Sequence, residues 1–113
     1  MEIQKYQEQI FEDIKHVNEF GEEYWEVREL MKVLGYSKWE NFSKVIDKAK
    51  ISCELSGYNV NDCFPGVRKP IISGKGKQEL IEDYHLTCYA SYLIVQNGDS
   101  RKEVIALGQS YFA

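Results

Sequence analysis

The segment from residue 57 to residue 76 most constrains the fold, because it forbids a long helix in the middle of the chain. Proline lacks a backbone N–H and clashes inside a helix, while glycine, asparagine and aspartate favour turns. The residues of this kind are Asn59, Asn61, Asp62, Pro65, Gly66 and Pro70. The helical patterns on either side must therefore be joined through a non-helical centre.

The second part of this segment has the pattern of a β-hairpin. Residues 67–73 are predicted as one arm, Gly74-Lys75-Gly76 as the turn and residues 78–81 as the return arm. Glycine supplies the backbone angles that tight hairpin turns require. A hairpin of this kind beside a pair of helices would form a basic wing.

The flanking segments have the apolar spacing of amphipathic helices. Ser37 with Glu40, and Ser100 with Glu103, have the spacing of capping boxes at helix starts. Acidic and bulky residues alternate over residues 23–27, which favours a short strand. Helices are predicted over residues 3–17, 28–34, from Ser37 onward, around 86–97 and over 100–113.

Two of these predicted helices lie on either side of Gly35-Tyr36 and resemble a helix-turn-helix. The second of them would carry Lys38, Lys44 and Lys48 on its solvent side. With the hairpin, they predict an α+β domain over residues 1–113 that is mainly helical and has a small antiparallel sheet. A chain of 113 residues can bury a sufficient core without disulfides or metal.

Charge is segregated along the chain. Residues 32–77 contain nine Lys/Arg and four Asp/Glu, whereas residues 1–31 contain three against nine and residues 78–113 two against five. Because a local excess of cations is commonly placed against a polyanion, the centre is predicted to contact nucleic-acid phosphates, with Asn41 reaching a base edge. The predicted contact residues are Lys38, Asn41, Lys44, Lys48, Arg68, Lys69, Lys75 and Lys77.

Membrane insertion, secretion, metals and cofactors find no support in the composition. The apolar runs are far too short to span a bilayer and the N-terminus lacks a signal-peptide pattern, so the chain is expected in the cytoplasm. The three cysteines are odd in number and widely spaced, which predicts buried thiols rather than disulfides or a zinc site. The loop at Gly74-Lys75-Gly76 lacks the spacing of a nucleotide-binding loop.

Catalysis has one weak candidate, the pair Asp83 and His85. No motif supplies a nucleophile, so both residues are predicted at the entry to the following helix, and His16 near the end of the first helix. No enzyme is expected, and an enzyme acting on nucleic acid through His85 has the least support.

A protein-interaction module is the main rival interpretation. The acidic run over residues 19–29 would be a solvated face or a docking surface. Tyr36, Tyr58 and Phe64 fall in predicted loops, where they could contact a base or a partner. The other conspicuous aromatic residues are assigned to the core, namely Trp39, Phe42, Tyr89 and Phe112.

Several strings of residues closely resemble the DNA-damage-inducible protein D family, whose N-terminal part is similar to the BRO N-terminal domain. They are Arg28-Glu29-Leu30, residues 34–42, Arg68-Lys69-Pro70, Gly74-Lys75-Gly76, Asp83-Tyr84-His85-Leu86, Tyr89-Ala90, Tyr92-Leu93-Ile94 and Gln96-Asn97-Gly98-Asp99. The resemblance runs from about Phe11 to Ala113.

This resemblance implies a DNA-binding α+β domain from a bacterial protein of the DNA-damage (SOS) response, without a catalytic motif. It also implies a longer chain, and it makes a recombinase filament on single-stranded DNA, or another repair protein, a plausible partner. The residues leave open whether DNA is bound as one strand or two, and whether the domain forms a homodimer.

Overall fold

The computed structural model describes residues 2–99 and 101–113, with side chains from Glu8 onward. The described chain contains six helices and four strands, which confirms the predicted α+β class. In chain order they are α1 (Glu2–Asp13), β1 (Lys15–Val17), β2 (Glu23–Glu26), α2 (Val27–Val33), α3 (Trp39–Leu55), α4 (Val60–Cys63), β3 (Gly66–Ile72), β4 (Gln78–Leu86), α5 (Cys88–Gln96) and α6 (Glu103–Tyr111).

The strands form one antiparallel sheet in the order β1-β2-β4-β3. β2 pairs with β4 only at Trp25↔Leu86 and Glu26↔His85, whereas β3 pairs with β4 from Tyr84 to Gln78. Among the described strands, the first part of β4 therefore has β3 as its only partner. The β3–β4 hairpin extends beyond the other two strands as a two-stranded arm.

The turn of the arm is closed by two backbone hydrogen bonds. Ser73 N–H donates to Lys77 O at 2.8 Å, and Gly76 N–H donates to Ser73 O at 2.9 Å. Gly76 has φ of +76°, a left-handed conformation that glycine adopts without steric cost. The predicted hairpin is confirmed, although β4 continues to Leu86 rather than ending near residue 81.

The core lies between the sheet and the helices. Trp25 and Leu86 are cross-strand partners and both are buried, so their face of the sheet is the one that packs against the helices. The indole N–H of Trp25 donates to the carbonyl of Phe11 at 3.1 Å, which joins β2 to α1. α3 makes its most extensive helix contacts with α5, and α6 packs on α5 and α1.

The aromatic predictions for the core are mostly correct. Phe42 and Phe112 are buried, while Trp39 and Tyr89 are partly buried and pack against the core. Phe64 lies outside the helices and strands as predicted, but it is buried, at 2% exposure, so its predicted availability to a base or a partner is wrong. It packs edge-on against Tyr84, with ring centroids 6.4 Å apart.

Two predicted helix boundaries are wrong because tertiary pairing overrides the local pattern. Helical spacing continues to Val17, but α1 ends at Asp13 and residues 15–17 pair with β2, so His16 lies on a strand. Asp83 and His85 lie on β4 rather than at the entry to a helix. The N-cap of α5 is Thr87, whose hydroxyl accepts from Ala90 N–H at 3.1 Å.

The capping box at Ser37 is also wrong. Lys38 is the N-cap of α3 and makes no side-chain cap hydrogen bond. The second predicted box depends on Ser100, which lies outside the described residues, and the N-cap of α6 is Lys102. The helix-turn-helix function of α2 and α3, and the single domain over residues 1–113, stay predictions.

In the part of the chain that the structure describes, no helix has the length and apolar character needed to cross a membrane.

The assignment of Thr87 as the N-cap of α5 can be tested by protein stability. Replacing Thr87 by Ala leaves one buried N–H at the start of α5 without its acceptor, and we expect a loss of about 1 kcal/mol in the free energy of unfolding. Ser37→Ala is the matched control and should change it by less than about 0.5 kcal/mol, because Ser37 caps no helix. Urea denaturation followed by circular dichroism measures both, and equal losses would contradict the assignment.

Candidate nucleic-acid interface

One group of predicted contacts lies along the exposed side of α3. Asn41, Lys44 and Lys48 are exposed and follow one another at steps of three and four, so they form a stripe on one helix face. Lys38 is exposed at the start of the same helix. None of these lysines has a carboxylate within 4.0 Å among the described side chains. We call this set the α3 stripe.

A second group lies on the arm. Lys75 and Lys77 are exposed at the turn, and Arg68 is exposed on β3 directly opposite Glu82 of β4. The described residues contain no ion pair within 4.0 Å for these three cations. Because the turn stands beyond the rest of the sheet, its two lysines are available to a partner from several directions.

Lys69 differs from the other predicted contacts because its charge is already offset. Its Nζ lies 2.6 Å from Glu26 Oε1. Burial raises the pKa of Glu26, but the hydrogen bond and charge of Lys69 outweigh it, so the pKa of Glu26 lies below its ordinary value. The same hydrogen bond raises the pKa of Lys69 above its ordinary value. Lys69 therefore contributes less free charge to the arm than the sequence pattern suggests.

A cleft of about 640 Å³ opens on the face of the arm that continues the helix-packing side of the sheet. It is lined by Gly66, Val67, Arg68, Leu80 and Glu82. Arg68 and Glu82 are cross-strand partners, so a guanidinium and a carboxylate line this cleft together with the apolar side chains of Val67 and Leu80.

Lys50 connects α3 to the base of this cleft. Its Nζ donates to the hydroxyl oxygen of Tyr84 at 2.6 Å and lies 4.3 Å from the centre of the ring. The Tyr84 hydroxyl in turn donates to Glu82 Oε1 at 3.1 Å. Since Lys48 and Lys50 are about 200° apart around a helix, the α3 stripe lies away from the cleft. The basic residues thus form two areas, the α3 stripe and the arm.

Arg28 also contacts Glu82, through the backbone of Glu82 rather than its side chain. Its guanidinium carbon is 3.7 Å from the centre of the Trp39 ring, and its Nε–H donates to the Glu82 carbonyl at 2.9 Å. Its backbone N–H donates to Asp83 Oδ1 at 3.1 Å, which supplies a tertiary acceptor at the start of α2. Arg28 thereby binds α2 and α3 to the free edge of β4.

Sequence reasoning missed Arg28 and Lys50 as neighbours of the cleft. Arg28 falls in the acidic third of the chain, where its charge is outnumbered. Lys50 was counted in the basic centre but not assigned a contact. A usable signal existed, because Trp39 and Lys50 are eleven residues apart and so share one side of a helix.

The opposite face of the sheet carries a separate polar cluster. His16 stacks on Tyr24, with ring centroids 5.2 Å apart, and Tyr24 stacks on His85 at 4.3 Å. His16 Nε2 lies 2.5 Å from Glu29 Oε1, and His85 Nε2 lies 3.9 Å from Glu26 Oε2. Histidine and carboxylate side chains in this arrangement could hold a cation.

The remaining candidates divide between buried and exposed positions. Tyr58 is 56% exposed and can contact a partner, whereas Tyr36 is half-buried beneath the Lys102 ammonium, 4.0 Å from its ring centre. Cys53 and Cys63 are buried as predicted, and burial raises the pKa of Cys53 to about 11. Cys88 is exposed, so its predicted burial is wrong.

Comparison with known proteins assigns the chain to a family. Residues 13–112 match the family described as the BRO family, N-terminal domain. The chain belongs to the BRO family. This BRO-family chain is also 45% identical over 105 residues to the DNA damage-inducible protein D of Escherichia coli strain K12. The match covers 93% of the chain but only 38% of that relative. No solved structure matches the chain.

These matches confirm the resemblance seen in the sequence. The chain spans well under half the length of the curated relative it matches. The match therefore concerns one part of that relative, and the activity of the whole relative does not transfer to this chain directly.

The position of Arg28 leads to a stability prediction. Replacing Arg28 by Met keeps the length of the side chain but removes the cation over Trp39 and the hydrogen bond to Glu82. We expect the free energy of unfolding to fall by about 1–2 kcal/mol, because a cation–π contact and a charged hydrogen bond are both lost. Arg101→Met is the control, since the Arg101 side chain is 90% exposed. Urea denaturation compares the two, and a loss no larger than that of the control would contradict the prediction.

Proposed function

We propose that this BRO-family domain is a non-enzymatic DNA-binding module of a bacterial DNA-damage-response protein. The observation that supports it best is the set of exposed cations that have no ion-pair partner among the described side chains. They include Lys38, Lys44, Lys48, Arg68, Lys75 and Lys77. Free cations in a domain of net charge −4 are well suited to a polyanion.

Both basic areas would contact DNA, and the α3 stripe would also contact a base. The lysines of the α3 stripe and of the arm would contact phosphates, which position a protein without specifying sequence. Asn41 lies on the α3 stripe and could reach a base edge. Lys69 would contact a phosphate only by exchanging its carboxylate partner Glu26, so we expect a smaller contribution from it.

A salt titration tests this function. If about five cations contact phosphates of duplex DNA, the logarithm of the affinity should fall against the logarithm of the salt concentration with a slope of about −4 to −5. Replacing both Lys75 and Lys77 by Gln should reduce this slope by about 2, on all sequences alike. Fluorescence anisotropy with labelled single- and double-stranded oligonucleotides measures the slope and shows which form is preferred.

The control for that titration is Lys15→Gln. Lys15 lies outside both basic areas and forms ion pairs with Glu12 and Glu23, so its replacement should leave the slope unchanged. A slope near zero for the unmodified domain would refute DNA binding through these cations.

The second candidate function is docking on a protein of DNA repair, such as a recombinase filament. The observation that favours it is that several large apolar side chains are exposed to solvent. Phe20, Leu55 and Tyr58 are 78%, 83% and 56% exposed. A pull-down that survives nuclease treatment, with no shift of labelled DNA, would support this function over the first.

A further inference from the structure

Three elements bring one imidazole and two carboxylates together on the solvent face of the sheet. His16 comes from β1, Glu26 from the end of β2 and Glu29 from the first turn of α2. One nitrogen or oxygen atom from each residue lies within 4.8 Å of the others. His16 lies on a different strand from Glu26 and well before it in sequence, which explains why no motif revealed the cluster.

The ring of His16 is held in place by its neighbours. His16 and Tyr24 are cross-strand partners, and their rings are nearly parallel, at 17°. Tyr24 is in turn covered by His85, at 25°. A ligand whose orientation is fixed by packing loses less freedom when it coordinates an ion.

The cluster is partly screened and still open. The side chains of His16, Glu26 and Glu29 are 38%, 17% and 32% exposed. Partial burial weakens the competition of bulk water for the carboxylates. The exposed side leaves room for water molecules to complete a coordination sphere, as in metal sites with three protein ligands.

The charges of the cluster are not fully balanced by the described side chains. Lys69 forms its ion pair with Glu26, while Glu29 has the imidazole of His16 as its partner. Among the described side chains, Lys69 supplies the only ammonium within 4.0 Å of these two carboxylates. A divalent cation between them would offset both carboxylates, displace the Lys69 ammonium from Glu26, and take the Nε2 lone pair of His16.

We propose that His16, Glu26 and Glu29 form a binding site for a first-row divalent transition metal such as Co²⁺, Zn²⁺ or Mn²⁺. One imidazole with two carboxylates suits these ions, whereas Mg²⁺ and Ca²⁺ favour oxygen ligands alone. His85, 3.9 Å from Glu26, is placed to support that carboxylate from the outer shell. This site lies on the face of the sheet opposite the cleft, and it does not depend on DNA binding.

Titration with Co²⁺ tests the site directly on the whole chain. We expect saturable binding at one equivalent by visible absorption and calorimetry, with paramagnetic broadening of the His16 and Tyr24 ring signals in NMR spectra. His16→Ala and Glu29→Gln should each weaken binding about tenfold or more, since losing a ligand costs at least as much as losing an outer-shell partner. Glu12→Gln, which changes a carboxylate outside the cluster, should have no effect.

Lys69→Met provides an independent test, because it removes the cation that competes for Glu26 and keeps the side-chain length. It should tighten Co²⁺ binding, a change that a merely structural effect of the substitution would not produce. The proposal is overturned if the unmodified chain does not bind Co²⁺, or if Glu29→Gln, with native circular dichroism, binds it equally well. A thiolate-to-cobalt charge-transfer band would also overturn it, since that band would place the ion on the cysteines.

Discussion

The rest of the structure depends on the pairing of β4 with two different strands. At its C-terminal end β4 pairs with β2, where Trp25 and Leu86 are cross-strand partners in the core. Over the preceding residues it pairs with β3 alone. Because side chains alternate along a strand, this arrangement aims Tyr84 and Glu82 toward the helix side and His85 toward the opposite face. The arm and the cleft follow from it, and it places His85 beside Glu26 of the histidine–carboxylate cluster.

Some lysines form ion pairs within the molecule, and others do not. Lys15 and Lys69 each form an ion pair, with an ammonium nitrogen 2.6 Å from a carboxylate oxygen. The lysines at the turn of the arm and on the α3 stripe are exposed to solvent. A net charge of −4 therefore does not describe the surface that a partner would meet. This separation reconciles an acidic chain with the proposed binding of DNA.

Local patterns predicted elements well wherever the residues that decide them are neighbours in sequence. The hairpin turn depends on Gly76 and its adjacent residues, and it is present as expected. Patterns failed where distant residues compete. Helical spacing continues to Val17, but His16 pairs with Tyr24 on β2. Asp83 was predicted at a helix entry, but it lies on β4 and accepts a hydrogen bond from the backbone N–H of Arg28. The prediction that Phe64 is available to a partner was wrong for a similar reason. Its neighbours in sequence favour an exposed turn, and only the tertiary structure shows that its side chain is buried.

The sequence by itself determined the α+β class, the basic hairpin and the exposed lysines of α3, because spacing, turn residues and charge are local properties. Only the tertiary structure decided which cations are free. It pairs Lys69 with Glu26, brings Lys50 to Tyr84, and stacks Arg28 on Trp39. It also gathers His16, Glu26 and Glu29 from three elements. These contacts depend on distances in space, which strand pairing sets and which residue spacing does not reveal.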